Sequence, residues 1–143
     1  MYDLVINNGI LFDPARQLRL QGHLAIQDGR IAAIRNGELF EGKQQLDAAG
    51  HIVCPGFIDM HGHIDAAPYC AELSLRQGIT TTVGGNCGAS PLDLEPFFRE
   101  QDETGFPLHQ AEFIGHSTLR RTVGVEDPLH PATNEQILAM ERL

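Results

Sequence analysis

From Gly56 onward the chain alternates short apolar runs with stretches of helical spacing, and few folds accept that order. "GFIDMH" is a short apolar run, "CAELSLRQG" has helical spacing and stops at Gly78, and "ITTTVGG" is rich in β-branched residues. "PLDLEPFFREQ" begins a second helix, with Pro96 limiting where it starts, and "AEFIGHS" reads as a third strand. "PATNEQILAMERL" is helical again, with Thr133 or Asn134 as its cap. Parallel strands need a long crossover, usually a helix, so this order predicts βα units on a parallel sheet. Residues 55–143 hold about three such units. A complete eight-unit barrel takes roughly 250 residues; if this sheet belongs to one, only the first part is here.

Residues 1–54 follow a different grammar. "DLVINNGILFD" is an apolar run broken at Asn8-Gly9, a dipeptide favoured in tight hairpin turns, and "GHLAIQDGRIAAI" repeats the device at Asp28-Gly29. "KQQLDAAGHIVCPG" supplies a further short strand that ends at Pro55-Gly56. The expectation is a small antiparallel sheet or half-sandwich, so the fold class is α/β with a small β part.

Composition narrows the partners. Nineteen acids against 10 bases give a net charge of −9, and Lys43 is the single lysine. An acidic chain without a basic cluster argues against nucleic acid and anionic membrane. The first residues lack a basic region and a long apolar core, so they do not read as a signal peptide. No apolar run approaches the ~20 residues of a spanning helix. Three cysteines, an odd number at irregular spacing, fit a reducing cytoplasm better than a disulfide framework. Cys54 and Cys70 read as small buried hydrophobes.

Two motifs carry candidate chemistry. His61 and His63 end the first apolar run after Pro55; on a strand, residues two apart share a face, so both imidazoles can converge on one ion. The alternative is an ordinary exposed turn. Cys87, inside "GGNCG", follows the second strand, where the glycines permit close backbone approach and a thiolate suits zinc. Both motifs fall at the carboxyl ends of predicted parallel strands, where barrel active sites sit. Asp59 either supports the imidazoles or makes a structural hydrogen bond at the strand end. Asp65 either touches substrate or metal or is solvated. "GHSTLRR" puts His116, Ser117 and Arg120 at the end of the third strand, where Arg120 either clamps a carboxylate or stands as a surface charge.

Together these residues resemble the amidohydrolase superfamily. "VCPGFIDMHGHID" looks like that family's entry into its first barrel strand, and "GITTTVGGNCGASP" with "FIGHSTLRRTVG" is similar to the D-aminoacylase branch, the N-acyl-D-amino-acid deacylases. The resemblance covers essentially the whole chain but only the amino-terminal third or so of such an enzyme. It implies a β-sandwich built from both chain ends, with residues 1–54 as its first strands, and a (β/α)₈ TIM-like barrel begun by residues 55–143. It implies that His61, His63 and Cys87 bind one or two zinc ions, with Cys87 where many relatives use a carboxylated lysine. The remaining ligands and the general base are implied beyond Leu143. Three readings follow. The first is zinc-dependent hydrolysis of small N-acylated D-amino acids by the full-length enzyme. The second is a cyclic amidohydrolase of dihydroorotase or hydantoinase type. The third, from another class, is an inactive fragment or assembly module. An open three-unit sheet further predicts self-association or membership of a longer chain.

Overall fold

The computed structural model describes residues 1–64 and 66–143; Asp65 lies outside the described residues. Packing divides the chain into two compact units, Met1–Pro55 and Gly56–Leu143.

The first unit is a five-stranded sheet. Its strands are β1 (Tyr2–Asp13), β2 (Leu18–Gln27), β3 (Arg30–Arg35), β4 (Gly42–Asp47) and β5 (Ile52–Val53). β2 and β3 form the hairpin expected at Asp28-Gly29, where both turn residues have positive φ, 52° and 70°. β1 runs antiparallel to β2 but parallel to β4 and β5, so the sheet is mixed and not antiparallel throughout.

The other difference is at Asn8-Gly9, which is no hairpin turn. β1 continues through it, and the pairing with β2 slips by one residue between Ile6 and Gly9. Asn8 sits at φ 58° as the extra residue of a β-bulge. Its amide, turned out of the ladder, donates to His23 Nδ1 at 3.1 Å, while its carboxamide donates to Asp47 Oδ1 at 3.0 Å. His23 Nδ1 therefore accepts, which leaves the ring proton on Nε2 to donate to Gly37 O. On the other side of the bulge, buried Asn7 exchanges two hydrogen bonds with the Phe40 backbone. Phe40 is thereby seated on Val5 and Ala25, both fully buried, with Arg35 stacked over its ring.

Three carboxylates of this unit lie below the ordinary value of 3.8. Asp13 is lowered first by the Arg16 guanidinium, Asp3 by the Lys43 ammonium and Asp47 by the Asn8 carboxamide. Their folded values are depressed, so the stability they contribute is complete above the unfolded value and is lost as pH falls through the folded one. The melting temperature of the chain is expected to be level from pH 7 to about pH 5 and to fall below about pH 4. Asp47→Asn should lower the plateau and flatten that acid limb. Melting followed by circular dichroism checks this; a temperature constant from pH 7 to pH 3 would refute it.

The second unit begins with β6 (Phe57–Asp59), followed by helix α1 (Pro68–Arg76), β7 (Ile79–Gly84), α2 (Leu94–Thr104) and β8 (His109–Glu112). Two further helices follow, α3 (His116–Thr122) and α4 (Asn134–Met140). The three strands pair in sequence order and all in parallel. Asp93 caps α2, Gly105 closes it in a left-handed conformation, and Thr133 and Gln136 form a capping box on α4. Ile64, Ala71 and Leu108 form the buried cluster. Phe57, Ile58 and Phe113 are exposed, and no closed barrel is present among the described residues. The unit is thus a mixed α/β piece of several βα units, consistent with an incomplete TIM-like barrel.

Cys54 and Cys70 are exposed, contrary to expectation. Ala71 is the α1 residue turned fully inward, and one residue earlier the helix points elsewhere. Cys54 follows the two-residue strand β5, where the sheet has ended.

Candidate metal centre

The three parallel strands end at Asp59, Gly84 and Glu112. His61 and His63 follow the first end and Cys87 the second, so all three lie beyond the carboxyl edge of one sheet. Gly84 pairs with Glu112, which brings the ends of β7 and β8 level, while Asp59 pairs with Thr82, so β6 stops two residues short of the β7 end.

The histidines lie beyond the strand and not on it, because β6 stops at Asp59. Their convergence is made by the turn instead. Asp59 Oδ1 accepts the His61 amide at 3.1 Å, and the Gly62 amide donates to Val83 O at 3.0 Å. A side chain on Gly62 would come 3.0 Å from Thr82 Cβ, tighter than an ordinary contact, so a larger residue would move the segment a few tenths of an ångström off β7. The two rings are 5.3 Å apart and tilted by 38°.

Cys87 reaches the same place from β7. Gly85 takes φ 78°, and a Cβ on it would run into the Phe113 backbone carbonyl. The chain then closes a turn with the Gly88 amide on Gly85 O. Cys87 Sγ ends 2.7 Å from His61 Nε2 and 3.4 Å from His63 Nε2. The donor atoms of the three residues all lie within 4.8 Å of one another. Tetrahedral zinc with imidazole and thiolate ligands sets its donors about 3.3–3.6 Å apart. The His63–Cys87 edge already matches; the His61–Cys87 edge would open by under about 1 Å and the His61–His63 edge, within 4.8 Å, would adjust by side-chain rotation to take such an ion.

The remaining candidates fall out differently. Asp59 makes the structural hydrogen bond just described, and Asp65 is outside the described residues. His116, Ser117 and Arg120 do not end a strand. β8 stops at Glu112, and Gly115 serves as N-cap of α3. The Thr118 amide donates to Gly88 O, which draws "HSTLRR" into a helix against the Cys87 turn. Ser117 packs against Gly88 beside Cys87. Arg120 donates to the carbonyls of Asp127 and His130 and so holds the loop that follows α3.

Several residues around the centre escaped the sequence reading. Asn86 donates to Met60 O and Val83 O at 2.9 and 3.0 Å. Ser90 and Thr118 exchange two hydrogen bonds, and Ser90 Oγ accepts the Gly115 amide. The one available signal was the polar residues flanking Cys87. A cavity of about 490 Å³ in this unit, lined by Leu75, Phe98, Gln101 and Leu108, contains none of the three donor residues.

No family model matches the chain. Among curated proteins it is 34% identical to a D-aminoacylase of Alcaligenes xylosoxydans xylosoxydans, over 99% of this chain and 34% of that protein. It is 33% identical to an N-acyl-D-glutamate deacylase of the same organism, again over 99% of this chain and 34% of the relative. The crystal structure of N-acyl-D-glutamate deacylase from Bordetella bronchiseptica, complexed with zinc and a phosphonate inhibitor, superposes with a TM-score of 0.83. Its identity is 32%, covering 99% of this chain and 35% of that one. The chain therefore spans about a third of the length of the relatives it matches. It belongs to the amidohydrolase superfamily, in the D-aminoacylase branch.

Proposed function

We propose that the chain contributes His61, His63 and Cys87 as zinc ligands to an amidohydrolase that hydrolyses N-acyl-D-amino acids to a carboxylate and a free D-amino acid. The observation that carries this reading is the meeting of two imidazoles and a thiol at one end of a parallel sheet. The relatives' names supply the substrate class, and the zinc in the Bordetella enzyme supports the choice of metal. Zinc at this place supplies Lewis acidity and a water nucleophile near neutral pH.

His61, His63 and Cys87 would hold the ion, and the residues around them orient these side chains. Asp59 fixes the His61 backbone, and Gly62 brings both histidines down onto β7. The open edges of the β6–β8 sheet and the exposed Phe57, Ile58 and Phe113 support a larger body, supplied by further chain or by another copy. No helix among the described residues is long and apolar enough to cross a membrane. Three free thiols suit a reducing compartment such as the cytoplasm.

Titration with zinc tests the metal reading. The expected result is one tight site per chain, weakened about 100-fold in Cys87→Ser and in His61→Ala. Variants that bind zinc as tightly as the parent chain would refute it.

A further inference from the structure

His61 and Cys87 are 26 residues apart, on separate turns, and their donor atoms must be held to within about 0.5 Å for tight binding. Three features of the turns bear on how that is done. The Gly62 amide fastens the histidine turn to Val83 O. The carbonyl of Gly88 fastens the far side of the cysteine turn to α3 through the Thr118 amide. Between them stands Asn86, whose carboxamide directs Nδ2 to Met60 O, the carbonyl just before His61, and to Val83 O, the same oxygen that Gly62 uses.

We propose that Asn86 is a positioning residue for the His61–His63–Cys87 centre, its carboxamide locking the cysteine turn to the histidine turn and setting the separation of their donor atoms. This rests on the metal reading above. The chemistry selects asparagine. Only a primary amide of this length offers two hydrogens from one nitrogen to two carbonyls. An aspartate there has no hydrogen to donate and sets its charge against both oxygens. A serine has one hydrogen. Without the amide, the bonds from Gly88 to Gly85 and from Thr118 to Gly88 still shape the cysteine turn, so Cys87 follows α3 and no longer the histidines. The fold survives; the preorganisation of the ligands does not.

The experiment uses cobalt(II) as probe on the 143-residue chain, comparing the parent with Asn86→Ala, Asn86→Asp, Asn86→Ser and Cys87→Ser. Glu100→Gly, at an exposed position of α2 outside both turns, serves as a stability control. Dissociation constants come from competition with a chelator, and the thiolate-to-cobalt charge-transfer band reports whether Cys87 is bound. Asn86→Ala and Asn86→Asp are expected to bind cobalt about 10–100-fold more weakly, as is usual when a group that orients ligands is removed, with a reduced charge-transfer band. Asn86→Ser should fall between them and the parent, and Glu100→Gly should keep the parent's affinity and band. Affinities within twofold of the parent overturn the proposal, and so do losses that Glu100→Gly reproduces at equal melting temperature. A parent chain with no charge-transfer band, or a band that persists in Cys87→Ser, instead overturns the metal reading and takes this proposal with it.

Discussion

Loaded with zinc, the 143-residue chain should hydrolyse N-acetyl-D-glutamate and N-acetyl-D-methionine no faster than a zinc blank. Three protein ligands are the minimum for a catalytic zinc with an open position, and the cluster supplies three. A general base within hydrogen-bond reach contributes a further 10²–10⁴-fold, about 3–5 kcal/mol of barrier. Asp59 is tied to the His61 backbone, and the Glu112 carboxylate lies over Gly84 with Gln110 donating to it. Each carboxylate is thus already engaged, Asp59 by a backbone amide and Glu112 by the Gln110 carboxamide. Among the described residues the three donors are exposed, which leaves the centre open to water. Amine release measured for each substrate, with His61→Ala in parallel, decides the matter. Turnover that His61→Ala abolishes would show that the catalytic machinery is complete within these residues.

Gly85→Ala should be among the most destabilising single substitutions in the second unit. The residue has φ 78°, which costs any L side chain about 1–2 kcal/mol. Its Cβ would also meet the Phe113 backbone, which no side-chain rotation can relieve. The sum is expected near 3 kcal/mol or more. Gly105 separates the two effects, because it has φ 73° with open space, nothing within 4 Å, where its methyl would stand. Gly105→Ala should therefore cost only about 1 kcal/mol. Urea unfolding of both variants measures the difference; equal midpoints would mean that β8 shifts freely and that the contact with Phe113 carries no weight.

What the sequence disclosed depended on how far apart the interacting residues lie. The Asp28-Gly29 turn, the α1 stop at Gly78 and the Thr133 cap are decided within a few residues, and all were legible. Asn8-Gly9 signalled a left-handed residue correctly but not its use. A two-residue turn and a bulge ask for the same φ, and only the pairing of Gly9 with Gly22 distinguishes them. The parallel pairing of β1 with β4 has no local signal at all. "AEFIGHS" misled because its apolar centre, Phe113 and Ile114, is an exposed connection, while Gly115 already caps a helix. In the candidate centre His61, His63 and Cys87 stood out by type and place, and the fold brings them together. Asn86 did not stand out, because its partners are backbone carbonyls, which every residue possesses.

The central place of β1 has a consequence for the order in which the first sheet assembles. Its antiparallel partner closes quickly, since Asp13 pairs with Leu18 across a short turn. Its parallel partner must come from Gln44 back to Leu4. That is about three doublings of loop length, an extra entropic cost of about 1.8 kcal/mol before any contact compensates it. Strands β1 to β3 are therefore expected to form the early meander, with β4 and β5 docking late and Phe40 sealing the core only then. Until they do, one edge of β1 stays unpaired through its whole length. During synthesis or refolding it is this edge that stands open to the wrong strand.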